Sequence, residues 1–130
     1  MLSVKIITPL GLYDESVVEE IQCVSQLGEL GLLPNHMPLI AMLKTSKLTL
    51  KVNGEKKEFA ISGGLLHLFD NQVKILTDAI EGKDEIDIER AQRAKERAMQ
   101  RLEKKDSRTN MDRAELALLR AINRISVSQG

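Results

Sequence analysis

EGKDEIDIERAQRAKERAMQRL, running from Glu81 to Leu102, is where the chain changes its grammar. Upstream of it short apolar runs alternate with turn residues, and from Asp87 onward the apolar positions recur with a helical period. The arginines fall at 90, 93, 97 and 101, and the apolar residues at 91, 94, 98 and 102. At 3.6 residues per turn these spacings draw two parallel stripes on one helix, one cationic and one apolar. Asp87 is placed to cap that helix, because its carboxylate can accept free N–H groups of the first turn. The spacing therefore predicts helix 1 from Ile88 to about Lys104.

Downstream, Asp106-Ser107-Arg108-Thr109-Asn110 reads as a polar break, and Met111 to Val127 as helix 2. Ala91, Ala94 and Ala98 then face Ala114, Ala117, Leu118, Ala121 and Ile125, so two helices can approach closely as an antiparallel hairpin. An alanine-lined seam buries little apolar area. At roughly 25 cal/mol per Å² it holds far less firmly than a leucine-lined one, which makes the hairpin a candidate for opening.

Upstream, Leu2 to Ile7 is short, apolar and β-branched and ends in the turn residues Thr8-Pro9-Leu10-Gly11, so it is the expected first strand. Glu19 to Val24 is the expected second. Gln26 to Leu39 carries Gly28, Gly31, Pro34 and Pro38, which suits a shaped loop or short irregular strand. Lys47 to Val52 alternates, with Leu48, Leu50 and Val52 on one face and Lys47, Thr49 and Lys51 on the other, and Asn53-Gly54 follows as a type I′ hairpin signal. Glu58 to Ser62 is the expected return strand, Gly63-Gly64 a break, Leu65 to Phe69 another strand, Asp70-Asn71 a turn and Gln72 to Thr77 the last. Short strands with frequent turns predict a β-sandwich or flattened barrel over residues 1–84, followed by the antiparallel two-helix hairpin over 85–130.

The two parts differ in charge. Residues 1–85 hold 8 Lys against 12 acids, a balance of −4, whereas 86–130 hold 11 Lys and Arg against 7 acids, a balance of +4. All eight arginines lie at position 90 or later. A lone cysteine, Cys23, cannot close an internal disulfide, which fits a reducing, intracellular compartment. With neither a signal-peptide block nor an apolar run of about 18 residues, no segment is expected to span a membrane. Any membrane association is expected to go through a partner.

Catalysis finds few candidates. His36 and His67 are the only histidines, no nucleophile motif or GxxxxGK[ST] loop occurs, no metal-ligand cluster is formed, and a non-enzyme is expected. The arginine stripe allows three uses. It can be a solvated face supported by the Glu89–Arg93 pair. It can meet a nucleic-acid backbone, against which zero net charge, the interleaved Glu89, Glu96 and Glu103, and the absence of Trp all weigh. Or its guanidinium forks can take phosphate oxygens while a loose helix pair closes on a nucleotide. Spacing alone leaves the first and third open.

Three stretches resemble the epsilon subunit of bacterial F-type ATP synthases. Gly28-Glu29-Leu30-Gly31-Leu32-Leu33-Pro34-Asn35-His36-Met37-Pro38-Leu39 is similar to that family's GELGILPGH-x-PL, with Asn35 where Gly is commoner. Ile61-Ser62-Gly63-Gly64-Leu65 is similar to its SGG segment, and Ile86-Asp87-Ile88-Glu89-Arg90-Ala91 to its I/L-D-x-x-R-A segment. The three occur in the family's order across nearly the whole chain. The resemblance implies a non-catalytic central-stalk subunit of a proton-translocating rotary complex, peripheral on the cytoplasmic face of the bacterial plasma membrane. It also implies that such a subunit couples ring rotation to ATP synthesis and restrains ATP hydrolysis. It implies a sandwich that holds the gamma subunit and the membrane c-subunit ring, with Glu29 and His36 as ring contacts. The hairpin is implied to extend toward the catalytic alpha/beta head, where Arg113, Arg120 and Arg124, seven and four apart on one face, meet acidic loops. In Bacillus-like members the third motif holds ATP, which carries over to Glu81, Ile86, Asp87, Arg90, Ala91, Arg97 and Arg113. ATP is there a regulatory ligand, with or without Mg²⁺, and no cofactor is implied. The alternative from the residues alone is a stand-alone nucleotide-sensing module with no rotary role.

Overall fold

The structure, a computed structural model, describes residues 1–104 and 111–129. It divides into two compact units, Met1–Lys83 and Asp84–Gly130. The expected fold, a β-sandwich followed by two helices, is present.

In the first unit, β1 (Leu2–Thr8), β2 (Gly11–Val18), β3 (Glu20–Ser25), β4 (Gly28–Leu32), β5 (Leu39–Val52), β6 (Glu55–Phe69), β7 (Gln72–Leu76) and β8 (Ile80–Gly82) form one hydrogen-bonded sheet. Its order is β2-β1-β7-β6-β5-β3-β4, with β8 on β6. β1 runs parallel to β7, from Ser3↔Gln72 to Ile7↔Leu76, and the other pairings are antiparallel. β2 packs on β5 without being its ladder neighbour, so the sheet folds over on itself and encloses one core. Leu2, Val4, Ile6, Leu48, Leu50, Ile61, Leu66, Leu68 and Ile75 are sealed inside it. Tyr13 meets Phe59 edge-on, with ring centroids 6.3 Å apart.

Several strands differ from the sequence expectation. β2 was not foreseen, because it is an edge strand whose Leu12, Tyr13 and Val17 point to solvent and whose only fully buried residue is Val18. An edge of that kind carries no apolar alternation. β5 begins at Leu39 rather than Lys47, its outward Ile40 and Met42 having hidden the period. Thr49, expected on the polar side, is buried. β4 is the short strand within the stretch read as loop or irregular strand.

Gly63-Gly64 is not a break. β6 passes through it, and Thr45↔Ser62 and Leu43↔Gly64 keep one register. Both glycines have positive φ, 82° and 137°, and a Cβ on Gly64 would run into the Leu76 carbonyl oxygen. The two-residue turns Asn53-Gly54 and Asp70-Asn71 have positive φ at both positions, as type I′ hairpins require.

A short 3-10 turn, Lys83–Glu85, falls at the division, and the second unit holds α1 (Ile88–Lys104) and α2 (Met111–Gln129). α2 runs two residues beyond the expected Val127, with the Ser128 hydroxyl donating to the Ile125 carbonyl at 2.7 Å. The polar break at 106–110 lies outside the described residues. α1 and α2 pack on each other, and Ala91, Ala98, Ala114 and Ala121 are fully buried while Ala94, Ala117, Leu118 and Ile125 are half-buried. The small-residue seam is where the spacing put it.

Candidate functional site

Asp87 is the cap: its Oδ1 accepts the Arg90 backbone N–H at 3.1 Å, and its carbonyl accepts the Ala91 N–H at 3.0 Å. That anchors the first turn and fixes which way the following side chains point. Arg90, Arg93, Arg97 and Arg101 are all exposed, as the cationic stripe predicted. Arg90, Arg93, Glu96, Arg97 and Gln100 line a concave strip of about 410 Å³ on α1. Three guanidinium groups stand against one carboxylate there, which suits an anion with several oxygens.

The carried-over ATP set does not gather on this strip as a whole. Arg90 and Arg97 line it, whereas Ala91 is buried in the seam. Ile86 is half-buried in the approach to α1, and Arg113 is exposed on α2. Glu81 belongs to the first unit, on β8 opposite Ala60. Arg93, Glu96 and Gln100 were not in that set, although the 90/93/97 spacing already pointed to Arg93.

On α2 the three arginines differ in environment. Arg113 is exposed, Arg120 and Arg124 are half-buried, and the Nε of Arg120 is buried with no hydrogen-bond partner among the described residues. A buried guanidinium donor left unmatched costs stability. α2 also exposes Leu116, Leu119 and Ile122.

On the first unit, Glu29 of β4 and His36 of the loop 33–38 are exposed. The loop closes by the His36 N–H donating to the Leu33 carbonyl at 3.3 Å, and the His36 Nδ1 lies 2.7 Å from the Met37 carbonyl oxygen. Asn35 sits at φ 67° and donates its N–H to the Asn71 Oδ1 at 2.6 Å, while the Asn71 Nδ2 donates to the Asn35 Oδ1 at 3.2 Å. This reciprocal pair ties the loop to the β6–β7 turn, and sequence spacing gave no sign of it. Around it Met37 (78% exposed), Ile40 (68%), Phe69 (61%) and Leu33 (57%) show large apolar surfaces to solvent. Such a concentration marks a surface made for contact.

Cys23 is buried in β3, and burial pushes its thiol from 9.0 up to about 11, so it is an inert, protonated side chain at neutral pH. Among the described residues no group of three or more His, Cys, Asp or Glu gathers as a metal site, and no helix is long and apolar enough to cross a membrane.

A β-sandwich bearing an exposed apolar end, joined to an alanine-seamed helix pair with an arginine strip, defines a two-part protein built around contact surfaces. Residues 1–83 match the ATP synthase, Delta/Epsilon chain, beta-sandwich domain, and residues 84–129 match the long alpha-helix domain of the same chain. The protein belongs to the ATP synthase delta/epsilon family. It is 43% identical to an ATP synthase epsilon chain of Bacillus cytotoxicus, over 96% of this chain and 94% of that one. It is 38% identical to one of Ligilactobacillus salivarius, over 99% and 96%. Its fold is that of a chain in the Euglena gracilis mitochondrial ATP synthase OSCP/F1/c-ring structure, with a TM-score of 0.84 at 23% identity, covering 99% of this chain and 81% of that one. A chain of the central stalk and c-ring of the Tetrahymena thermophila mitochondrial enzyme shares it at a TM-score of 0.68 and 15% identity, over 98% and 96% of the two chains.

Proposed function

We propose that the protein is a non-catalytic rotor-stalk subunit of a proton-translocating F-type ATP synthase, peripheral on the cytoplasmic face of the membrane. The observation that carries this is the exposed apolar end of the sandwich, at Leu33, Met37, Ile40 and Phe69, beside Glu29 and His36. The sandwich holds the gamma subunit and the c-subunit ring, the ring taking the loop 33–38 with Glu29 and His36. Adding the protein to a complex stripped of its epsilon subunit tests this. Stoichiometric binding and restored coupling of rotation to ATP synthesis are expected, and a chain that stays monomeric beside the stripped complex would refute it.

The hairpin is the regulatory arm. Its seam of small residues holds weakly, and the unmatched Arg120 Nε favours any arrangement in which that group finds an acceptor. Extended toward the alpha/beta head, Arg113, Arg120 and Arg124 meet acidic loops and resist rotation in the hydrolysis direction. ATP is the ligand of the retracted arm, its phosphates on Arg90, Arg97 and Arg113, with Ile86 and Asp87 of the same unit beside them. A ligand that binds only the retracted form stabilises it by mass action. Calorimetric titration of ATP into the protein and into Asp87→Ala and Arg90→Ala checks this. Binding selective over ADP and lost in both variants is expected, and silence into the millimolar range would leave the arm governed by the head and gamma alone.

A further inference from the structure

We infer that Asn35 and Asn71 are a positioning pair that presets the docking loop of the sandwich before any partner arrives; this rests on the rotor-stalk role proposed above. The loop 33–38 has no ladder of its own, lying between the end of β4 and the start of β5. Left alone, a segment of that kind with Leu33 and Met37 facing water would sample many conformations, and ordering it on binding would weaken the complex. The two asparagines remove that freedom beforehand. They are 36 residues apart in sequence, each holds a positive φ, 67° and 60°, and each amide engages the other residue. The Asn35 main chain is held by the Asn71 Oδ1 at 2.6 Å, and the side chains are joined at 3.2 Å.

Asn71 is itself fixed. It closes the two-residue turn between β6 and β7, and its carbonyl accepts the Ser3 N–H of β1 at 2.9 Å. The loop is thus hung from a turn that three strands hold in place, and Phe69, two residues before Asn71, is carried to the same end of the sandwich as Leu33 and Met37. The contact surface is therefore composite, with one half from the loop and the other from the β6–β7 turn. The occupant is the c-subunit ring. An asparagine suits position 35 for two reasons at once: it tolerates the left-handed backbone almost as glycine does, and unlike glycine it supplies an amide.

The experiment uses the full chain and a complex stripped of its epsilon subunit. Asn35→Gly and Asn71→Gly each keep the positive φ, so neither strains the backbone. Asn71→Gly removes both hydrogen bonds, whereas Asn35→Gly and Asn71→Asp each keep the bond from the residue 35 N–H to the residue 71 side chain and lose only the side-chain pair. Expected in Asn71→Gly are faster amide exchange at Asn35 and about five- to tenfold weaker binding to the complex. Asn35→Gly and Asn71→Asp should both lie between it and the wild type. The double glycine variant should be no weaker than Asn71→Gly, since the two residues act as one device. A wild-type chain that fails to bind overturns the rotor-stalk role and this pair's function with it. A wild type that binds, with all variants indistinguishable from it, overturns the pair's function and leaves the stalk role intact.

Discussion

The sandwich and the hairpin are held by different kinds of side chain. The first unit encloses whole Leu, Ile and Val side chains, each contributing about 1.5–3 kcal/mol of burial, on a ladder that joins residues far apart in sequence. The second buries Val127 and, for the rest of its fully buried set among the described residues, only the methyl groups of Ala91, Ala98, Ala114 and Ala121, near the roughly 0.8 kcal/mol of a single CH₂ each. Burial so unequal makes the first unit the firmer of the two.

The contrast can be broken by making one unit behave like the other. Leu66→Ala opens a cavity in the sandwich core and should cost about 3–4 kcal/mol in urea denaturation, whereas Ala98→Gly should cost about 1 kcal/mol and act on the helices alone. Equal losses would mean that the two units unfold as one.

Alkaline pH probes the sandwich from another side. The Cys23 thiol sits at 9.0 in the unfolded chain and at about 11 in the fold, so the unfolded form loses its proton first. Stability is therefore full below pH 9 and falls as pH rises through about 11, by about 2.5 kcal/mol, and Cys23→Ala should flatten that fall. Denaturation midpoints at a series of pH values measure it.

Overfilling the seam tests the hairpin. Ala98→Leu should destabilise it by about 1–3 kcal/mol, read as faster amide exchange across α1 and α2 with the sandwich strands unchanged. Slower exchange in the helices would show that the seam is underpacked rather than fitted. The smallest effect is expected at the cap, where Asp87→Ala should cost about 1 kcal/mol and fray the first turn of α1.

Much of this was legible in the chain itself. Helix 1 matches its expected bounds, the Asp87 cap is made, and both type I′ turns sit where Asn-Gly and Asp-Asn put them, because each is decided within a few residues. The misses are long-range. Edge strand β2 and the first half of β5 turn apolar side chains outward, so only the folded sheet explains them. The carried-over ATP residues were a set of positions, and Ala91 among them is committed to the seam, as the helical spacing had it, while Arg90 and Arg97 face out with Arg93. The Asn35–Asn71 contact joins two turns 36 residues apart, a distance over which local patterns say nothing.

The parallel pairing of β1 with β7 governs the order in which the molecule can be made. Strand β1 can zip with β2 as soon as both have been synthesised, but its other edge waits for Gln72–Leu76, nearly seventy residues later. The β1–β2 ribbon therefore stands for a time with one unpaired edge, and closing the sheet is the slow, high-contact-order event of folding. The helices, made last, need only neighbours in sequence and can form quickly once the chain is complete. In a refolding experiment helical signal should rise ahead of sheet closure, the reverse of the order in which the two units were synthesised.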